Sequence, residues 1–111
     1  MSKKETRRSR AKSEEEFHNG LVKMVASRIW HKYDRLKLHR EYGLPTVGEC
    51  DILGVRNGKY TYYEIKGHHS KKNRDHAEEQ LQRFKNYYPD LDIQMVYAAM
   101  DKGKMRAERI R

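Results

Sequence analysis

Two carboxylates and a lysine in the middle of the chain carry the strongest chemical signal: Asp51, Glu64 and Lys66, within GECDILGVRNGKYTYYEIKG (residues 48–67). Asn57-Gly58 is a dipeptide favoured in two-residue type I′ turns, so the segment reads as a β-hairpin. Counting outward from that turn sets Val55 opposite Tyr60, Leu53 opposite Tyr62, Asp51 opposite Glu64 and Glu49 opposite Lys66. Strand alternation then gathers Glu49, Asp51, Glu64 and Lys66 on one face. Facing carboxylates, with Cβ atoms about 5 Å apart, repel each other. A divalent cation would offset that repulsion, because hard cations take carboxylate oxygens. Such an ion polarises a phosphoryl oxygen and lowers the pKa of an attacking water. A lysine beside it orients or helps deprotonate the water and stabilises charge building on the phosphate. The competing reading is a surface network in which Lys66 pairs across the hairpin with Glu49.

The elements around the hairpin must hold these groups in place. Ser13 to about Leu36 is predicted as a helix, with Ser13 and Glu16 forming a capping-box signature. Phe17, Leu21, Met24, Val25, Ile29, Tyr33 and Leu36 recur at helical spacing as its buried stripe. On a helical wheel Glu14 falls within that stripe, Glu15 at its edge and Glu16 on the far side. Glu14 is therefore the first-turn glutamate expected to face inward. Residues 38–47, with Gly43 and Pro45, read as a loop or short irregular strand in which His39 and Arg40 could reach a substrate. The hairpin's second face, with Ile52, Gly54, Thr61, Tyr63 and Ile65, suits packing on a helix.

Residues 68–74 (HHSKKNR) form a basic connection. His68-His69, without further spaced ligands, reads as solvated or phosphate-contacting. A second helix is expected from Asp75, with Glu78 completing another capping box, Ala77, Leu81, Phe84 and Tyr88 as its stripe, and Pro89 as its stop. Ile93 to Met100 reads as a strand buried on both faces, and Lys104 to Arg111 as a basic edge strand after the Asp101-Lys102-Gly103 turn. The predicted class is α/β with a mixed sheet, in the order α-β-β-α-β-β.

The 111 residues suffice for one domain with a small core, here residues 13–111, and dimer formation would supplement that core. The net charge of +9 points to a polyanionic partner such as DNA, RNA or an acidic membrane surface. Residues 1–12 concentrate Lys3, Lys4, Arg7, Arg8, Arg10 and Lys12 against Glu5, and are expected to be a mobile basic arm contacting phosphates without reading sequence. No apolar run approaches the roughly 18 residues of a membrane span. A single cysteine, Cys50, can form neither an internal disulfide nor a thiolate metal site by itself, as befits a reducing cytoplasm.

Asp51, twelve residues, then Glu64-Ile65-Lys66 resembles the PD-(D/E)xK nuclease motif. From residue 14 onward the wider pattern resembles archaeal-type Holliday junction resolvases, which also occur in viruses and phages. It comprises a helix glutamate, a Gly-containing loop, the Asp strand, the ExK strand, a helix and two strands. Cys50 stands where the pattern usually has proline, and the loop before Asp51 carries Arg40, Tyr42 and Gly43 rather than a serine- and arginine-rich run. The resemblance implies a restriction-endonuclease-like fold and a homodimer with two sites that cuts four-way DNA junctions. It implies Glu14, Asp51, Glu64 and Lys66 as catalytic residues. It also implies Mg²⁺ or Mn²⁺ held by Asp51, Glu64, the Ile65 carbonyl and Glu14. Glu79-Gln80 resembles a supporting pair on the second helix, and Glu49 is a supporting candidate opposite Lys66. Arg40, Lys71, Lys72 and Arg74 join the N-terminal basic residues as expected DNA contacts. A nicking, restriction-like or end-processing nuclease, and a non-catalytic nucleic-acid-binding protein, are the competing functions.

Overall fold

A computed structural model describes residues 3–38 and 50–110, with side chains from residue 13 onward. Its core is a five-stranded mixed sheet whose spatial order follows the chain: β1 (Arg35–Leu38), β2 (Ile52–Arg56), β3 (Lys59–Lys66), β4 (Asp92–Asp101) and β5 (Lys104–Ile110). Neighbouring strands run antiparallel except β3 and β4, which are parallel. A parallel pair needs a crossover, and α2 (Lys71–Tyr87) supplies it. Both tight hairpins turn through two residues at positive φ, Asn57 (50°) with Gly58 (76°) and Lys102 (51°) with Gly103 (78°). That geometry matches the strand twist and favours glycine at the second position. The register agrees with the count from the turn, Val55 against Tyr60 and Leu53 against Tyr62.

One helix covers each face of the sheet. On one side Leu21, Val22, Val25 and Ile29 of α1 (Lys3–Ile29) pack on Ile52, Tyr63, Ile65 and Ala98. On the other, Ala77, Leu81 and Phe84 of α2 pack on Leu53, Tyr62, Met95, Tyr97 and Ala99. Tyr62 and Phe84 stack there with ring centroids 4.2 Å apart. Strand β4 contributes to both clusters, as its unbroken apolar run predicts.

Three boundaries differ from the sequence expectation. Helix α1 begins at Lys3, so Ser13 lies inside it rather than capping it. The run of Lys, Glu, Arg and Ala around Ser13 consists of strong helix formers, which outweigh the interior Ser9 and Ser13. At its other end α1 stops at Ile29, and a 3₁₀ turn (Trp30–Lys32) leads into β1 instead of carrying the helix to Leu36. Leu36 fits the helical stripe, but Leu36 and Leu38 also alternate with Arg35 and Lys37, and β2 takes them as an antiparallel partner. Helix α2 begins at Lys71 rather than Asp75, because Ser70 caps it: its Oγ accepts the Asn73 N–H at 3.0 Å. Phe17, expected in the core, is 53% exposed.

The ring of Tyr33 lies on the bare backbone of Gly54, where a Cβ would come within 2.7 Å of it. This close approach explains a glycine in the middle of β2.

Candidate functional site

Asp51 stands at the entrance to β2, and its backbone N–H donates to the Tyr63 carbonyl at 3.0 Å. Continuing the β2–β3 register places it opposite Glu64. Glu64 and Lys66 project from the last residues of β3 on the α2 side of the sheet, since they alternate with Ile65, which packs towards α1. The three groups meet at the C-terminal end of the parallel β3–β4 pair.

Their surroundings differ sharply. Asp51 Oδ2 accepts the Ile65 N–H at 2.7 Å, which fixes the carboxylate against β3. Glu64 is only 6% exposed; its Oε1 lies 3.4 Å from Lys66 Nζ, while its Oε2 is buried without a hydrogen-bond partner. Burial first, and the Asp51 charge second, push the Glu64 carboxyl up from 4.5 to about 7, against the opposing pull of Lys66 and His18. Beneath them lies Cys50, 1% exposed, whose thiol is driven strongly upward by burial and by the Glu64 and Asp51 carboxylates.

His18, which the sequence reading passed over, also enters the site. Its Nε2 lies 3.1 Å from Asp51 Oδ1 and 3.0 Å from the Ile65 carbonyl oxygen. Both neighbours are acceptors, so Nε2 carries the proton and donates to the pair. The imidazole N–H therefore sits at the meeting point of a carboxylate and a carbonyl, where a cation would also be attracted. Its signal was available: His18 stands three and four residues before the buried Leu21 and Val22, on the face of α1 that packs on the sheet. Glu14, expected to face inward from a first turn, is instead exposed and lies well inside α1, which begins at Lys3; it precedes His18 by one helical turn on the same side of the helix. Glu15 and Glu16 are exposed as well.

Beside Lys66 an open groove of about 640 Å³ runs to the first turns of α2, lined by Lys71, Lys72, Asn73, His76 and Glu79 among others. Lys71 and Lys72 are exposed along it. Arg74 is engaged elsewhere: Nε and Nη2 donate to Glu108 at 3.0–3.1 Å, and Nη1 pairs with Glu78. This network pins α2 to β5, and Arg74 in turn draws the Glu108 carboxyl downward. Of the expected helix pair, Glu79 lines the groove whereas Gln80 is buried in the fold. His69 is occupied too, with Nδ1 3.2 Å from the Tyr97 hydroxyl. Arg40 and Glu49 lie outside the described residues, as do the side chains of Lys3, Lys4, Arg7, Arg8 and Arg10.

Among the described residues no group of three or more His, Cys, Asp and Glu side chains closes into a metal cage. This end of the sheet does carry three kinds of oxygen donor: the Asp51 carboxylate, the buried and unpartnered Glu64 Oε2, and the Ile65 carbonyl. Two carboxylates and a carbonyl, completed by waters, fit a hard divalent ion such as Mg²⁺. An orphaned anionic oxygen beside a second carboxylate is the kind of cost that a cation removes. Comparison of the chain with models of known protein families and with curated protein sequences finds no match.

Proposed function

We propose that the protein is a metal-dependent DNA endonuclease of PD-(D/E)xK type, with a restriction-endonuclease-like fold, acting as a homodimer on four-way junctions. One observation carries the reading: Glu64 Oε2 is buried without a partner beside Asp51, with Lys66 Nζ 3.4 Å from the other oxygen of the same carboxylate. A bound cation would satisfy that second oxygen. Mg²⁺ or Mn²⁺ bound by Asp51, Glu64 and the Ile65 carbonyl would polarise the phosphate and acidify a water.

The chain's own groups do the rest. The Lys66 ammonium faces the phosphate and stabilises the charge that develops as water adds to phosphorus and one ester P–O bond breaks. Lys71, Lys72 and His76 along the groove hold the neighbouring backbone phosphates. Two such sites related by a two-fold axis suit the symmetry of a branched substrate.

Incubation with Mg²⁺ and a panel of junction, flap, duplex and single-stranded DNA tests this. Paired symmetric cuts confined to the junction are expected. Equal cutting of plain duplex would replace junction resolution by a general nuclease, and binding without cutting under Mg²⁺ or Mn²⁺ would leave a nucleic-acid-binding protein.

Helix α1 gives a second test. His18→Ala removes the N–H shared by Asp51 and Ile65, and a lost hydrogen bond to a charged group costs about 1.5–3 kcal/mol. Chemical denaturation should register that loss. Glu14, on the same side of α1, is the helix carboxylate of the proposed site, so Glu14→Gln is expected to slow cleavage far more than Glu16→Gln. The opposite order would remove Glu14 from the site.

A further inference from the structure

At the end of the sheet away from Lys66, and on its other face, lies a second concavity of about 350 Å³. It exists because α1 stops at Ile29 and the chain turns through Trp30–Lys32 into β1, so the helix does not cover the whole face. Four cations line it: Lys32 after α1, Arg56 at the end of β2, Lys59 on β3 and Arg109 on β5. Thr61 and Gln94, paired across β3 and β4, form its neutral floor.

No carboxylate is among its lining residues. Among the described residues none of the four cations is in an ion pair, and Arg56 donates only to the Lys32 carbonyl, at 3.3 Å. Arg74 and Arg106, by contrast, are each held by carboxylates. Two acidic residues neighbour the lining without belonging to it: Asp34 accepts the Asn57 N–H at 3.1 Å, and Asp92 stands opposite Lys59 in the register. Four like charges converging on one concavity repel one another unless an anion joins them. Two guanidinium groups and two ammonium groups suit the several acceptor oxygens of a phosphate.

We propose that this concavity, walled by Lys32, Arg56, Lys59 and Arg109, is a phosphate-binding site separate from the candidate active site. Its phosphate belongs to a nucleic-acid backbone or to a free nucleotide. Thr61 lies five residues before Lys66 on β3, roughly 17 Å along the strand, and faces the opposite side of the sheet. A straight duplex seated at Lys66 does not reach it, so a phosphate bound here comes from another segment of nucleic acid or from a small molecule. Tyr33 also lines it, with its ring resting on Gly54 and its hydroxyl meeting that of Tyr63. The four cations recognise the charge of the phosphate.

Amide spectra of the ¹⁵N-labelled wild-type protein, titrated separately with pyrophosphate, ADP, a short DNA duplex and poly-glutamate, test the proposal. Saturable shifts at Arg56, Lys59, Thr61 and Arg109 are expected with pyrophosphate. The same shifts with duplex, competed by pyrophosphate, identify backbone phosphate; shifts with ADP but not duplex identify a free nucleotide. Absence of saturable shifts with every phosphate compound, or shifts with poly-glutamate alone, overturns the proposal. The double variant Arg56→Gln/Arg109→Gln should abolish the pyrophosphate shifts while keeping the wild-type melting curve. If backbone is the source, it should also lower the salt dependence of DNA binding by about two counterions. The inference does not rest on the nuclease reading: a protein that cuts DNA with a silent pocket loses only this site. One that binds phosphate here without cutting loses only the nuclease.

Discussion

Asp51→Asn and Lys66→Ala are each expected to abolish the proposed DNA cleavage while binding to the same DNA stays within a few-fold of wild type. The two substitutions remove different things. Asparagine keeps an oxygen to accept the Ile65 N–H, which Asp51 Oδ2 accepts at 2.7 Å, so the β2–β3 junction holds together. It loses the negative charge that, with Glu64, would attract a divalent ion. Lys66→Ala leaves both carboxylates and removes the cation 3.4 Å from Glu64 Oε1. Losing one preorganised electrostatic contact to a transition state typically costs on the order of 10²–10³ in rate. Binding is expected to be spared because backbone phosphates would be held mainly by the other basic residues, of which the chain has many: 25 Lys and Arg in all. Single-turnover cleavage and fluorescence anisotropy on one labelled junction measure the two quantities side by side. Variants that cut at the wild-type rate would end the assignment of these residues.

Glu64→Gln carries the second large expectation, this one on stability. The folded protein raises the Glu64 carboxyl to about 7 from an ordinary 4.5, first through burial and then through Asp51. Folding therefore favours the protonated form. The stability this contributes is complete below about pH 4.5, declines as pH rises between the two values, and is gone above about pH 7. One proton is worth about 1.4 kcal/mol per pH unit over that window, so the whole effect reaches about 3 kcal/mol. Metal-free wild-type protein should thus melt lower at about pH 8 than at about pH 5 through this group. Glutamine matches the shape without the charge, so the variant's melting curve should be flatter across the window and higher at about pH 8, though the variant no longer cleaves DNA. Thermal melts in the presence of a chelator decide the point. Parallel wild-type and variant profiles would mean that Glu64 ionises as an ordinary exposed carboxylate. The gain in stability and loss of activity from one substitution would mark a group kept at a cost for chemistry.

The hairpin was legible because its determinants are local. Asn57-Gly58 specifies the turn, the turn specifies the register, and the register brings Asp51 and Glu64 into opposition. The buried period of α1 and α2 and the two-sided burial of β4 were legible for the same reason, since each is written in the spacing of neighbouring residues. Element ends were less so. Leu36 satisfies the helical stripe and also, with Leu38, a strand alternation, and only β2 waiting beside them decided for the strand. Ser13 and Ser70 each precede a helical run. The structure uses only Ser70 as a cap, because the residues before Ser13 continue the helix and those before Ser70 come from a strand.

Sequence alone determined one carboxylate pair, the lysine beside it, and an excess of positive charge without an assigned place. It could not say that Glu64 is buried with an unpartnered oxygen, because burial depends on α2 and β4, distant in the chain. Nor could it seat His18 between Asp51 and the Ile65 carbonyl, which requires α1 to cross the end of β3. The same packing sorted the basic residues by function. Arg74 and Arg106 met carboxylates and became structural, while Lys32, Arg56, Lys59 and Arg109 converged from four separate segments on a concavity lined by none. Spacing along a strand or helix is local and can be counted, but the meeting of groups from different elements is set by how those elements pack.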